Sequence, residues 1–216
     1  MHPSPKATKK EIVTAFRTRE ILAATRTLLD QRGLEALTMD EIAATAGVAK
    51  GTLYLYFHSK DELLQAMITQ VGENILNDLQ AVVEASGTPA ERLIRMVSVL
   101  LGYLDRERLL FPIYAREVLQ GTQKPQKGFW GHIQDLEEKF VTLVTDLFAE
   151  GIASGDFIAA DPRLLTFLLR GLVRATGYYQ RGESRKDAAK EALPVILAML
   201  SSGLIQTQQP ITEGTA

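Results

Sequence analysis

Along this chain apolar positions recur at three- and four-residue intervals almost throughout, while sustained two-residue alternation is nearly absent. That pattern predicts helices and no sheet. The first clear helix closes with "REILAATRTLLDQRG", where Ile21, Leu22, Thr25, Leu28 and Leu29 keep helical spacing and Gly33 supplies a left-handed stop. Thr38 and Glu41 have the spacing of a capping box, which predicts a second helix. Gly47-Val48 interrupts it, and "AKGTLYLYF" predicts a short third. Ser59 and Glu62 repeat the capping spacing and open a long fourth helix to about Ala85. Its apolar stripe is Leu64, Met67 or Ile68, Val71, Ile75, Leu79 and Val82.

"SGTP" at Ser86–Pro89 is a break. Beyond it the periodicity predicts helices at about Ala90–Asp105, Glu107–Leu119, Gly128–Ala149, Pro162–Gln180 and Lys186–Ser202. "GTQKPQK" reads as a polar loop, "GIASGDF" as a turn, Asp161 as the cap before Pro162, and Pro194 as a kink in the last helix. The tail "QTQQPITEGTA" reads as disordered. The expected fold is all-α, with about nine helices.

Composition narrows the function classes. The 216 residues are 46% hydrophobic and 23% charged, an ordinary globular balance that argues against global disorder. The net charge is −2, so nucleic-acid binding must rest on a local basic patch. One candidate is the N-terminal run of Lys6, Lys9, Lys10, Arg17 and Arg19 against the single acid Glu11, although a solvated tail would have the same composition. The absence of cysteine excludes disulfides, thiolate metal sites and cysteine nucleophiles. "MHPSPKATKK" lacks a secretory apolar region, and no run approaches the ~18 apolar residues of a membrane span. Cytoplasmic location without a membrane partner is the expectation. His132 has no metal-ligating neighbours in sequence, and no paired-carboxylate, Ser-His-Asp or phosphate-cradling pattern is present. Neither catalysis nor a cofactor is expected.

The second and third helices, joined by a tight glycine turn, have the signature of a helix-turn-helix. Ala43 and Ala46 permit a close crossing, Gly47 tolerates positive φ, and Val48 pins the turn. Leu53 and Phe57 share an inward face with Ile42 and Leu37. Lys50, Gly51, Thr52, Tyr54 and Tyr56 are left at or near the surface, where the start of a recognition helix meets the major groove. Gly51 lets backbone approach the duplex, Thr52 suits a phosphate or a thymine methyl, and the tyrosine hydroxyls suit phosphate oxygens. Lys60 at the start of the fourth helix, and Thr38 at the start of the second, suit further phosphates.

The stretch from Arg19 to Met67 closely resembles the N-terminal DNA-binding domain of TetR-family transcriptional regulators. Gly33, Leu37-Thr38, Ile42-Ala43, Gly47-Val48, Leu53-Tyr54, Phe57 and Lys60 with Leu63 carry the likeness. Thr25 and Leu29 depart from it, where alanine and phenylalanine are common. The resemblance implies a homodimeric repressor on a palindromic operator, with contacts at Thr38, Lys50, Gly51, Thr52, Tyr54, Tyr56 and Lys60. It also makes Lys9, Lys10, Arg17 and Arg19 candidate phosphate contacts.

The remainder divides into two expectations. Helices near 162–180 and 186–202 are apolar on most of their circumference, as for helices buried against both their own subunit and a partner copy. Between them and the DNA-binding segment, Tyr103, Phe111, Tyr114, Arg116, Phe129 and Trp130 collect, with Arg174 and Tyr178 further on. An apolar lining with a few polar groups suits a small-molecule effector, although the same aromatics could simply fill a helical core. The expected division is a DNA-binding domain at 9–62, an effector-binding and dimerisation domain at 63–205, and a tail at 206–216. Two other classes fit less of the pattern: a regulator controlled by a partner protein, and an α-helical carrier or enzyme.

Overall fold

A computed structural model describes residues 8–120, 128–182 and 187–202, with the side chains of 116–120, 182 and 202 outside the description. Nine helices and no strand occur among the described residues: α1 (Lys9–Arg32), α2 (Met39–Thr45), α3 (Lys50–Tyr56), α4 (Lys60–Glu84), α5 (Pro89–Arg106), α6 (Phe111–Gln120), α7 (Phe129–Ser154), α8 (Pro162–Gly182) and α9 (Ala188–Ser202). They form two compact units. The first holds the chain to Glu73 together with Pro112–Gln134; the second holds Asn74–Phe111 and the chain from Asp135. No described helix is long and apolar enough to cross a membrane.

The helix ends follow local chemistry, with instructive differences. α1 begins earlier than its apolar periodicity suggests. Thr8 and Glu11 form a full capping box there, so Lys9, Lys10, Arg17 and Arg19 lie on a helix from its first turn onward. At α2 the box is half made: Thr38 Oγ1 accepts from Glu41 N–H at 3.2 Å, while the Glu41 carboxylate turns to Arg32 at 2.6 Å. At α4 it is displaced by one residue, since Glu62 accepts from the His58 N–H at 2.6 Å. α6 starts at Phe111 and not near Glu107, because Pro112 has no N–H to donate and belongs in a first turn.

Among the described residues "GIASGDF" is a misplaced turn; "GTQKPQK" and the tail "QTQQPITEGTA" lie outside them. α7 continues through Gly151 to Ser154, and the chain reverses only at Gly155, where φ is +82°. Gly151 is needed for close approach: a Cβ there would stand 2.1 Å from Phe157 Cδ2 and 3.0 Å from Pro89 Cβ. The Phe157 ring folds back over that gap and tilts against Phe148 at 5.4 Å between centroids. Gly151→Ala is therefore expected to overpack the second unit and cost about 1–3 kcal/mol, despite alanine's better helix propensity. An unchanged melting temperature in chemical or thermal unfolding would refute this.

In the second unit α5, α8 and α9 pack on one another. Leu79, Leu93, Met96, Val97, Leu100, Leu101 and Leu104 meet Val144, Leu147 and Phe148 of α7, Leu169 of α8 and Ile196 of α9. Several polar groups within this core find partners. Thr145 and Thr166 hydroxyls share a hydrogen bond of 3.0 Å, and Gln180 Nε2 donates to Asp105 at 2.9 Å. Buried Arg92 donates to the Val83 carbonyl at 3.0 Å and pairs with Glu150. It thereby satisfies one of the last carbonyls of α4, which the helix itself cannot.

Candidate nucleic-acid interface

The first unit is built around α1, α2, α3 and the start of α4. Ile21, Leu29, Ile42, Leu53 and Leu63 are completely enclosed, with Leu37, Ala43, Phe57, Met67 and Ile68 nearly so. Thr25 is also fully buried and returns its hydroxyl hydrogen to the Ile21 carbonyl at 2.8 Å. This hydroxyl is accommodated within α1, so its departure from alanine bears on packing. Between α2 and α3 the chain turns through Gly47 at φ +65°, and Val48 N–H donates to the Ala43 carbonyl at 3.0 Å. Ala43 is the buried crossing residue; Ala46 lies in the turn and is half-buried.

α3 is held by its Leu53 and Phe57 side, which fixes what the other side presents. Tyr54 is exposed, and Thr52 and Tyr56 are half-buried. Gly51 is exposed, with nothing within 4 Å of the position a Cβ would take. Leu55 is 80% exposed, the largest value among the large apolar side chains described. The sequence reading passed over it, since an apolar residue between Leu53 and Phe57 was assigned to no surface role. The signal was available: helical rotation of ~100° per residue puts position 55 opposite both.

The cations around α3 are differently placed. Lys50 Nζ lies 2.6 Å from the exposed Asp40 carboxylate. The hydrogen bond and charge of Asp40 raise the Lys50 pKa, so the ammonium is held charged at the junction of α2 and α3. Asp40 is a second residue the sequence reading missed, because ten positions of separation hide a pair that the turn brings together. Lys60 Nζ is half-buried and 3.4 Å from the Leu34 carbonyl. Thr38 is exposed but its hydroxyl is engaged as the α2 cap. On α1, Lys9, Lys10 and Arg19 are exposed, and Arg17 pairs with Glu20 at 2.7 Å.

The aromatic candidates are divided between the two units. In the second unit Phe111 and Tyr178 meet edge to face at 5.9 Å, and the Phe111 ring occupies the space above Gly177, where a Cβ would come within 2.5 Å. Tyr103, also there, donates to Asp78 Oδ2 at 2.7 Å beneath the Arg106 guanidinium. Burial and that acceptor push its phenol up to about 12. Arg174 approaches Glu137 at 3.6 Å, beside the Arg170–Glu137 pair. Tyr114, Phe129 and Trp130 belong to the first unit, where Phe129 and Trp130 stack edge to face at 5.1 Å. The Arg116 side chain lies outside the described residues. His132 Nε2 lies 3.1 Å from Glu73. Among the described residues no three acidic or histidine side chains are placed to hold a metal ion.

A bihelical reading motif on a helical body defines a helix-turn-helix DNA-binding regulator. Two family descriptions match the chain in order: "Bacterial regulatory proteins, tetR family" over residues 21–67, and "Tetracyclin repressor-like, C-terminal domain" over residues 86–200. The chain belongs to the TetR family of transcriptional regulators. Among its relatives is the HTH-type transcriptional repressor KstR2 of Mycolicibacterium smegmatis. It is 25% identical over 199 residues, covering 90% of this chain and 93% of that protein. The fold matches a TetR/AcrR-family regulator from Thermobifida fusca with a TM-score of 0.75 at 24% identity, covering 88% and 100% of the two chains. It also matches FadR from Bacillus subtilis in complex with stearoyl-CoA, with a TM-score of 0.66 at 21% identity over 87% and 99%.

Proposed function

We propose that the protein is a homodimeric repressor that grips a palindromic operator through α3 and is released by a small hydrophobic or amphipathic effector. The observation that carries the reading is the division of α3 between a buried edge, Leu53 and Phe57, and an outward face of Gly51, Tyr54 and Leu55. Nothing in the fold of the first unit requires that face to be aromatic or aliphatic. Lys50, Thr52, Tyr56, Lys60 and Thr38 surround it as phosphate and groove contacts, with Lys9, Lys10, Arg17 and Arg19 on α1 extending the basic surface. A DNA phosphate reaching Lys50 takes the place now held by Asp40.

Dimerisation is supported by an apolar stripe on α8. Leu164, Leu168, Gly171, Ala175 and Tyr178 are all exposed, at intervals of four, three, four and three residues, with Phe167 beside them. That is the spacing of a helix seam. On α9, Val195 and Ala198 are exposed. A two-fold pair of subunits is what a palindromic operator requires, since its half-sites recur about one DNA turn apart, ~34–36 Å. The functional boundary falls after Glu62, leaving 63–205 for dimerisation and effector.

For the effector, the second unit offers Phe111 against Tyr178, with Tyr103 and Arg174 as polar groups. The stearoyl-CoA held by FadR, a protein of the same fold, makes acyl compounds a natural first panel. The test is a titration of the purified protein against labelled duplexes from its own upstream region at several salt concentrations. Sequence preference with a steep fall of affinity in salt is expected, and indifference to sequence refutes the regulator reading. An effector at saturating concentration, about 100 times its Kd, should stabilise the protein by about 2.7 kcal/mol and weaken operator binding. A panel of acyl and aromatic compounds giving neither effect refutes small-molecule release and favours control by a partner protein.

A further inference from the structure

The outermost side chain of the recognition helix can form no hydrogen bond. Leu53 and Phe57 face the core at 0% and 5% exposure, and Leu55, two positions from each, stands opposite at 80%. A lone exposed leucine is ordinary on a protein surface. Its position is what matters here. Leu55 is at the centre of the outward face of the second helix of a helix-turn-helix. One turn earlier on the same face is Gly51, which has no side chain to hold a base edge away.

The major groove offers such a side chain a single kind of partner. Guanine, adenine and cytosine show only acceptors and donors there, whereas thymine adds its C5-methyl group. Leucine has no donor or acceptor, so against any other base edge it would displace water and return nothing. We propose that Leu55 is a specificity-determining residue that reads thymine, its isobutyl group packing on the C5-methyl of one thymine in each half-site. The inference rests on the DNA-binding reading of α3 and adds which base it selects and by which chemistry. Selection works by attraction to the methyl and by the desolvation of polar edges at competing bases.

The methyl can be removed from the DNA without touching the protein. The full-length protein is used to enrich a duplex from a random pool about three helical turns, ~30 bp, long. The enriched duplex is then synthesised with deoxyuridine in place of thymine at one position at a time, a change that deletes only the methyl. At one symmetry-related position per half-site, the substitution is expected to weaken binding by about fourfold for each methyl lost. Leu55→Ala should bind more weakly overall and treat thymine and deoxyuridine alike at that position. Leu55→Asn should move the preference there from thymine toward adenine. Both variants should keep the melting temperature of the parent to within a few degrees, since Leu55 is 80% exposed. Equal binding of thymine and deoxyuridine duplexes at every position overturns the proposal. So does a Leu55→Ala variant that still discriminates, which would assign the methyl to Thr52 or a tyrosine. Failure to enrich any duplex would overturn the DNA-binding reading itself, and this inference with it.

Discussion

Leu53→Ala is expected to lower the melting temperature of the first unit and weaken operator binding with it, whereas Tyr54→Ala should leave the melting curve in place and weaken binding to all duplexes alike. The two residues are neighbours in sequence, but α3 turns them to different environments. Leu53 is fully enclosed, in a core with Ile21, Leu29, Ile42 and Leu63. Truncating it removes the apolar transfer energy and leaves a cavity, a cost of about 2–5 kcal/mol. Set against a total stability of about 5–15 kcal/mol, that is a large fraction of what keeps the unit folded, and Leu53 is the one buried side chain of the seven-residue α3. Tyr54 is 40% exposed and supports no such core. Its expected loss is a phosphate contact, blind to sequence. Circular dichroism melts paired with fluorescence anisotropy separate the cases. A Tyr54→Ala variant as destabilised as Leu53→Ala would return the ring to the core and remove it from the DNA contacts.

The second large effect is expected on α8. Leu168 is 52% exposed in the single subunit and central to the stripe from Leu164 to Tyr178. In Leu168→Glu a two-fold interface would bring two carboxylates into one apolar seam, each without a partner. Dissociation to folded monomers is expected, because the same position is solvated once the copies part. Operator affinity should then fall by about 10²–10⁴, the advantage lost when two half-sites are no longer bound by one linked pair. Sedimentation velocity reads the mass and anisotropy the affinity. A wild-type protein that is monomeric at micromolar concentration, or a Leu168→Glu dimer, would defeat this assignment.

Local signals made the helices legible. Gly33 and Gly47 take the positive φ expected of them, and Thr38, Ser59 and Asp161 each cap the helix they precede. Side-chain roles were less legible where they depend on distant partners. Gly151 looks like a turn residue until Phe157 is seen above it. The capping acids Glu41 and Glu62 were drawn to Arg32 and to the His58 N–H, competitors that spacing alone cannot rank. Of the aromatic candidates, Phe111 and Tyr178 meet across many residues of chain, while Phe129 and Trp130 belong to the other unit. Density of rings in a sequence window does not say which share a space. Leu55 was the opposite case: helical rotation turns it away from Leu53 and Phe57, and the habit of sending leucine inward hid it.

The arrangement of α3 has a consequence for how such a protein can change over generations. Its anchoring side chains, Leu53 and Phe57, are buried, while its outermost one, Leu55, is 80% exposed. Substitutions at position 55 can therefore be explored at almost no cost to folding, and each one presents a different chemistry to the same groove. If α3 grips its operator as proposed, a lineage rewires which promoters it governs by single steps at one codon, while the scaffold that presents the codon's product remains under separate selection.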